Sequence, residues 1–282
     1  MKTIHKERIK EFGNPSAYRE NRLYHLFAEH GQEDLYYRMV FYGLSGDELI
    51  NVPLSEKYRA LLSKVVKHQQ KRIENISRFI GSMKVPGLWL DLGCGLGQFM
   101  NQVIKVEGND VIGSDVSVNS LRKARSLLNH FGVRDIKLIN QDPIKLPFRD
   151  NVFKYILSAD VFEHVGYDKQ KMIASEIHRI LRKGGQAIIH TPNLSRVKLT
   201  TILKKGYYSF KGINPFIIKH SFPIGHNSLT TACKLTRICN SVGFKTRSYY
   251  QIGWTFYDRH KWISLGLDHL LSRSFILVLT KE

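Results

Sequence analysis

The chain has 282 residues, 43% hydrophobic and 11% aromatic, which is enough apolar content to bury a substantial core. Its 43 Lys and Arg stand against 24 Asp and Glu, a formal charge of +19, and its three cysteines, Cys94, Cys233 and Cys239, have no metal-ligand spacing. These values argue against a disulfide scaffold and against zinc or thiol chemistry. With no run of the ~18 apolar residues that a membrane span needs, they predict a globular protein of the reducing cytoplasm that attracts anionic partners.

The first ten residues, "MKTIHKERIK", are charged and have no apolar h-region, so no export leader is expected. Through residue 67 the apolar positions recur at three and four, as in "LYHLFAEH" and "YRALLSKVVKHQQKRIENISRFI", which predicts amphipathic helices, the second running to Ile80. From Leu88 the pattern changes to short apolar runs alternating with helical ones. Strands are predicted over 87–92, 110–115, 135–140, 152–158 and 185–191, with helices over 97–106, 117–131 and 168–182. Ser117 is placed to cap a helix whose buried stripe is Leu121, Ala124, Leu127 and Leu128. Gly184-Gly185 is read as the end of the helix before "QAIIHTPN". A further helix is expected in "HNSLTTACKLTRICNSVGF", capped by Asn227 or Ser228, with Leu229, Ala232, Cys233, Leu235, Ile238 and Cys239 facing inward. "KTRSYYQIG" and "SFILVLTKE" supply the last strands. Strand and helix alternating at this rhythm predict a parallel α/β sheet with right-handed crossovers and helices on both faces.

The first strand runs into "DLGCGLGQF", a glycine-rich turn that lets a ligand approach the backbone at a helix amino end. A dinucleotide turn, G-x-G-x-x-G, would need glycine at 98, where Gln98 stands; the third glycine is Gly97. Asp115 ends the second strand, where a carboxylate can accept from both hydroxyls of a ribose, and Asp142 follows the third, placed to accept from an adenine amine. "SADVFEHV" follows the fourth.

Together "LDLGCGLGQF", "GSDVS", "QDPIKLPF", "ADVFEHV" and "ILRKGGQAIIHTPN" resemble the successive motifs of class I S-adenosylmethionine (SAM)-dependent methyltransferases, in particular the branch with ubiquinone and menaquinone methyltransferases. The likeness is close over residues 85–195 and looser over 226–282. It implies a Rossmann-like, seven-stranded, mostly parallel sheet in the order 3-2-1-4-5-7-6, the last strand to enter being antiparallel. It also implies that Asp91, Gly93, Gly95 and Gly97 pack around the methionine part of SAM, that Asp115 holds the ribose and Asp142 the adenine, and that Asp160 orders the site. Members often contact adenine through the backbone N–H after the third-strand acid; Pro143 has none. No metal is implied, because the sulfonium is already a strong leaving group.

Methyl transfer is in-line displacement, so positioning dominates, and a base that removes a hydroxyl proton adds to it. His164 in "FEHV" and His226 in "PIGHNSLT" are the candidate bases, and Tyr167 is a candidate for the acceptor pocket. The expected organisation is a helical lid over 1–67 and a SAM-binding domain over 68–282 with a lid insertion at 195–225. No carboxylate occurs between Glu176 and Asp258, and the 195–225 segment interleaves Arg196, Lys198, Lys204, Lys205, Lys211 and Lys219 with five aromatic residues. That composition fits contact with an anionic membrane surface and equally a small anionic acceptor. The function expected is methylation of a lipophilic or anionic small molecule, on oxygen. RNA methylation is the first alternative, disfavoured because "SADVFEHV" replaces the Asn/Asp-Pro-Pro-aromatic signature of many base-methylating enzymes. A SAM-binding regulator without turnover is the second.

Overall fold

A computed structural model of the protein describes residues 23–42, 54–210, 212, 228–252, 255–258 and 271–282. The chain divides into two compact units, with breaks at Arg72–Ile73, Arg196–Val197 and His226–Asn227.

The larger unit is built on one sheet of eight strands: β1 (Leu88–Leu92), β2 (Asp110–Asp115), β3 (Lys137–Asn140), β4 (Phe153–Ala159), β5 (Leu181–Pro192), β6 (Phe244–Ile252), β7 (Thr255–Asp258) and β8 (Ser274–Lys281). Their order is β3-β2-β1-β4-β5-β8-β6-β7. β1 to β5 pair in parallel, and β8 enters antiparallel between β5 and β6. Without β7 this is the expected order of seven. β7 is an addition that pairs antiparallel with β6 from Tyr249↔Asp258 to Ile252↔Thr255. Only Gly253 and Trp254 separate the two strands in sequence, the spacing of a tight hairpin.

The described helices are α1 (Glu33–Tyr42), α2 (Glu56–Gly81), α3 (Gln98–Ile104), α4 (Val118–His130), α5 (Tyr167–Ile180), α6 (Leu194–Phe210) and α7 (Ala232–Ser241). Alternation along the strands sends side chains to two cores. Leu90, Leu92, Ile156, Ile189 and Leu277 pack with Ile173 and Ile177 of α5 and Leu235 of α7. Trp89, Leu157, Ile188 and Ile276 pack with Met100 of α3, Leu128 of α4 and Ile76 and Ile80 of α2. The stripe predicted for α4 is buried as expected, and Ser117 Oγ accepts from the Ser120 N–H at 3.1 Å.

Two local expectations are corrected. α5 ends at Ile180, and Gly184-Gly185 lies inside β5. Gly184 takes φ 70°, and a Cβ on Gly185 would sit 2.8 Å from Arg182 O and 2.9 Å from Lys154 O, so the pair serves an irregularity in the strand. α7 is capped by Thr231, whose hydroxyl accepts from the Lys234 N–H at 3.2 Å; Asn227 lies outside the described residues. Ser228 does not start the helix because its carbonyl, which would accept the first intrahelical bond, accepts from Gln170 Nε2 instead, and Thr230 bridges to Asn193. The later start turns Cys233 outward, while Ala232, Leu235 and Cys239 are buried.

The smaller unit is helical. Residues 23–28, α1 and the first turns of α2 bury Leu23, Phe27, Leu35, Tyr36, Met39, Val40, Leu62 and Val65. Rings hold it together: Tyr24 lies 5.7 Å from both Tyr36 and Tyr37, and Phe27 lies 5.5 Å from Tyr36. The division expected after residue 67 falls inside α2, which continues to Gly81, and α6 occupies the first half of the expected 195–225 insertion.

Candidate functional site

The glycine turn after β1 uses each glycine differently. Gly93, Gly95 and Gly97 all have positive φ, at 75°, 52° and 79°. A Cβ on Gly93 would lie 2.2 Å from Val161 Cγ2, so only glycine lets the turn meet the loop after β4. A Cβ on Gly95 would meet nothing within 4 Å, which leaves backbone open to a ligand. Gly97 caps α3.

At the carboxyl ends of β1, β2, β3 and β4 lies a cavity of about 420 Å³. Gly93, Gly95, Asp115, Asp142, Asp160 and His164 line it, with Val116, Pro143, Val161 and Val165 as apolar wall. Asp115 is fixed from all sides. Its Oδ2 accepts from the Gly95 N–H at 3.0 Å and its Oδ1 from the Ser117 N–H at 2.8 Å. Its carbonyl accepts from Asn140 Nδ2 at 2.9 Å and from the Gln141 N–H at 3.1 Å. Asp142 Oδ1 accepts from the Ile144 N–H at 3.0 Å, which folds the chain back after β3.

Asp160 stands in the left-handed region, φ 60°. His190 holds it there twice: the Asp160 N–H donates to His190 O at 2.9 Å, and Asp160 Oδ1 lies 2.6 Å from His190 Nδ1. His190 is buried at the end of β5, paired in register with Ala159. The sequence reading missed it, although register counting from "SAD" to "IIH" places the two side by side. It also missed Lys169, a cation in the first turn of α5 that lines the cavity, where acidic residues are usual.

Asp91 does not line the cavity. It is 1% exposed, behind the turn, and neither carboxylate oxygen has a hydrogen bond of sound geometry among the described residues. Burial, and then the negative Asp115, push its pKa up to about 7, the Met100 N–H offsetting part of this.

His164 is exposed at the cavity mouth, its N–H donating to Val161 O at 3.0 Å. His226 lies outside the described residues. Tyr167 donates its hydroxyl to Leu229 O at 2.8 Å, and Lys234 Nζ sits 3.5 Å from its ring centroid. It does not line the cavity; it ties α5 to the segment before α7. Gln170 Nε2 reinforces that tie by donating to Phe162 O and Ser228 O.

Three carboxylates around the cavity and a fourth behind it suit a ligand carrying positive charge, and the apolar wall suits a purine. A pyrophosphate fits poorly, because the Gly95 N–H is already given to Asp115, whose charge would repel it.

Residues 90–189 match the family model described as "Methyltransferase domain". Over 119 residues the chain is 33% identical to phosphoethanolamine N-methyltransferase 2 of Caenorhabditis elegans, covering 42% of this chain and 26% of that one. It is 26% identical over 116 residues to a tRNA (carboxymethyluridine(34)-5-O)-methyltransferase of Xenopus tropicalis, covering 41% and 17%. Among solved structures, a geranyl diphosphate methyltransferase in complex with SAM has the same fold, with TM-score 0.55 at 12% identity over 82% of this chain and 92% of that one. The chain thus spans less than half the length of the curated relatives it matches. Residues 90–189 thus carry the likeness to a methyltransferase domain, and the sheet around them has the fold of a methyltransferase that binds SAM.

Proposed function

We propose that the protein is an enzyme that transfers the S-methyl group of SAM to an oxygen of a lipophilic or anionic small molecule, of the quinone, lipid or sugar type, in the cytoplasm. The observation that carries the reading is Asp115, oriented by the Gly95 and Ser117 amides at the edge of a cavity large enough for an adenosyl group. When bound, SAM supplies an electrophilic methyl on a sulfonium leaving group. Asp115 would accept from the ribose hydroxyls and Asp142 from the adenine amine, while Pro143 offers that ring apolar surface in place of an N–H. Gly93 and Gly95 would hold the methionine part, with Gly97 and the buried Asp91 backing their turn and Asp160 fixed by His190 beside them. His164, at the cavity mouth, would take the proton from an acceptor hydroxyl; His226 is the second candidate. Excluding water and aligning the acceptor can supply about 7 to 11 kcal/mol, so positioning outweighs the base.

Relatives acting on phosphoethanolamine and geranyl diphosphate support a small anionic acceptor, and Lys169 gives the cavity a cation to meet one. RNA is the second reading, favoured by the +19 charge and the tRNA-directed relative. Transfer of radiolabelled methyl from SAM into lipid, sugar-phosphate and RNA fractions separates the two. Label in a small-molecule fraction is expected; label confined to RNA replaces this reading with the second.

A further inference from the structure

We propose that the carboxyl-terminal half of α6 is a docking surface for an anionic lipid bilayer. On a helix each residue advances about 100°, so Ile202, Leu203, Tyr207 and Phe210 fall within one arc of about 140°. All four are open to solvent, at 66%, 63%, 55% and 92% exposure, while Tyr208, outside the arc, is the least exposed of the helix's open apolar side chains at 37%. Thr201, on the opposite side of the helix, is buried, its hydroxyl donating to Val197 O at 2.8 Å. The helix therefore turns its apolar stripe outward and its polar threonine inward, the reverse of an ordinary surface helix.

The charges around the stripe identify what covers it. Lys198 and Lys205 flank one edge and Lys204 the other, a placement that lets the stems lie on apolar surface while the ammonium groups reach outward to phosphates. No carboxylate occurs from residue 177 to 257, so nothing in this stretch repels an anionic surface or supplies an intrahelical partner for these lysines. A second copy of the stripe would bring lysine against lysine. A nucleic acid would answer the lysines and leave Ile202 and Leu203 in water. A bilayer with anionic headgroups answers both at once. The sequence that follows continues the pattern, with Lys211, Phe216, Ile217, Ile218 and Lys219. The proposal stands on the helix alone and does not require methyl transfer.

The test is sedimentation of the full chain with vesicles of equimolar phosphatidylglycerol and phosphatidylcholine, beside vesicles of phosphatidylcholine only. Binding to the anionic vesicles and weak binding to the neutral ones is expected. The double variants Leu203→Ser/Phe210→Ser and Lys204→Glu/Lys205→Glu should each lower the partition coefficient by about tenfold or more. Leu203, Lys204 and Phe210 are exposed and Lys205 is half-buried; circular dichroism checks the folding of each variant, and a SAM titration separately checks the methyltransferase reading. The proposal is overturned if the wild type stays in the supernatant with anionic vesicles at low salt, or if the apolar variant binds them undiminished. It is overturned in favour of a second copy if light scattering shows a dimer that Leu203→Ser/Phe210→Ser dissolves without any vesicle binding. It is overturned in favour of RNA if the lysine variant loses RNA binding while no variant changes sedimentation.

Discussion

The two units of the chain solve the same problem, hiding apolar surface from water, with different consequences for what they can specify. In the sheet unit, side chains at alternate positions are assigned to one core or the other by strand register, and the same register delivers Asp115, Asp142 and Asp160 to the ends of adjacent strands. In the helical unit, aromatic rings such as Tyr24, Phe27, Tyr36 and Tyr37 pack around one another, and α6 leaves apolar side chains in solvent. A register-bound scaffold fixes groups to within fractions of an ångström, which is what a cofactor site needs. The residues lining the cavity all come from the sheet unit.

Core truncations break this comparison most severely. Leu277→Ala in the sheet core and Phe27→Ala in the helical core each remove a fully buried side chain and should cost about 3 to 5 kcal/mol in denaturant unfolding. Only the first should weaken SAM binding measured on the remaining folded protein; equal loss for Phe27→Ala would erase the distinction between the units. Next comes Asp91. Its folded pKa of about 7 lies above the unfolded value, so the stability it lends is fully present below about pH 4 and is lost as pH rises through about 7, by up to about 4 kcal/mol. Thermal unfolding without SAM should therefore show the melting temperature falling across that window, and Asp91→Asn should flatten the fall. Asp115→Ala removes the proposed ribose acceptor and should weaken SAM binding about 100-fold by calorimetry, with circular dichroism unchanged. The smallest effect is Thr231→Ala, which loses the α7 cap and should cost about 1 kcal/mol while leaving SAM affinity alone.

Where local chemistry and periodicity agree, the sequence was easy to read. The α4 stripe follows from spacing, Ser117 from its cap position and the parallel sheet from strand–helix alternation, while the order of its strands comes from the family likeness alone. Elements decided by distant partners were not legible. Gly184-Gly185 reads as a helix stop because glycine is the usual stop, yet its place is set by backbone from β4. Ser228 reads as a cap, but Gln170, on α5, has taken its carbonyl. His190 looks like one more residue of an apolar strand until β4 is laid beside β5 and brings Asp160 to it. The outward stripe of α6 was hidden because composition shows that a segment is apolar and basic without showing which side of it faces water.

The most direct test is a crystal structure of the protein grown with SAM. The ribose hydroxyls should lie within hydrogen-bond distance of Asp115 and the adenine against Pro143, with the methionine end over Gly93 and Gly95. Density for SAM at any other place, or a dinucleotide bound in its stead with phosphates on the Gly95 turn, would contradict the assignment of this cavity.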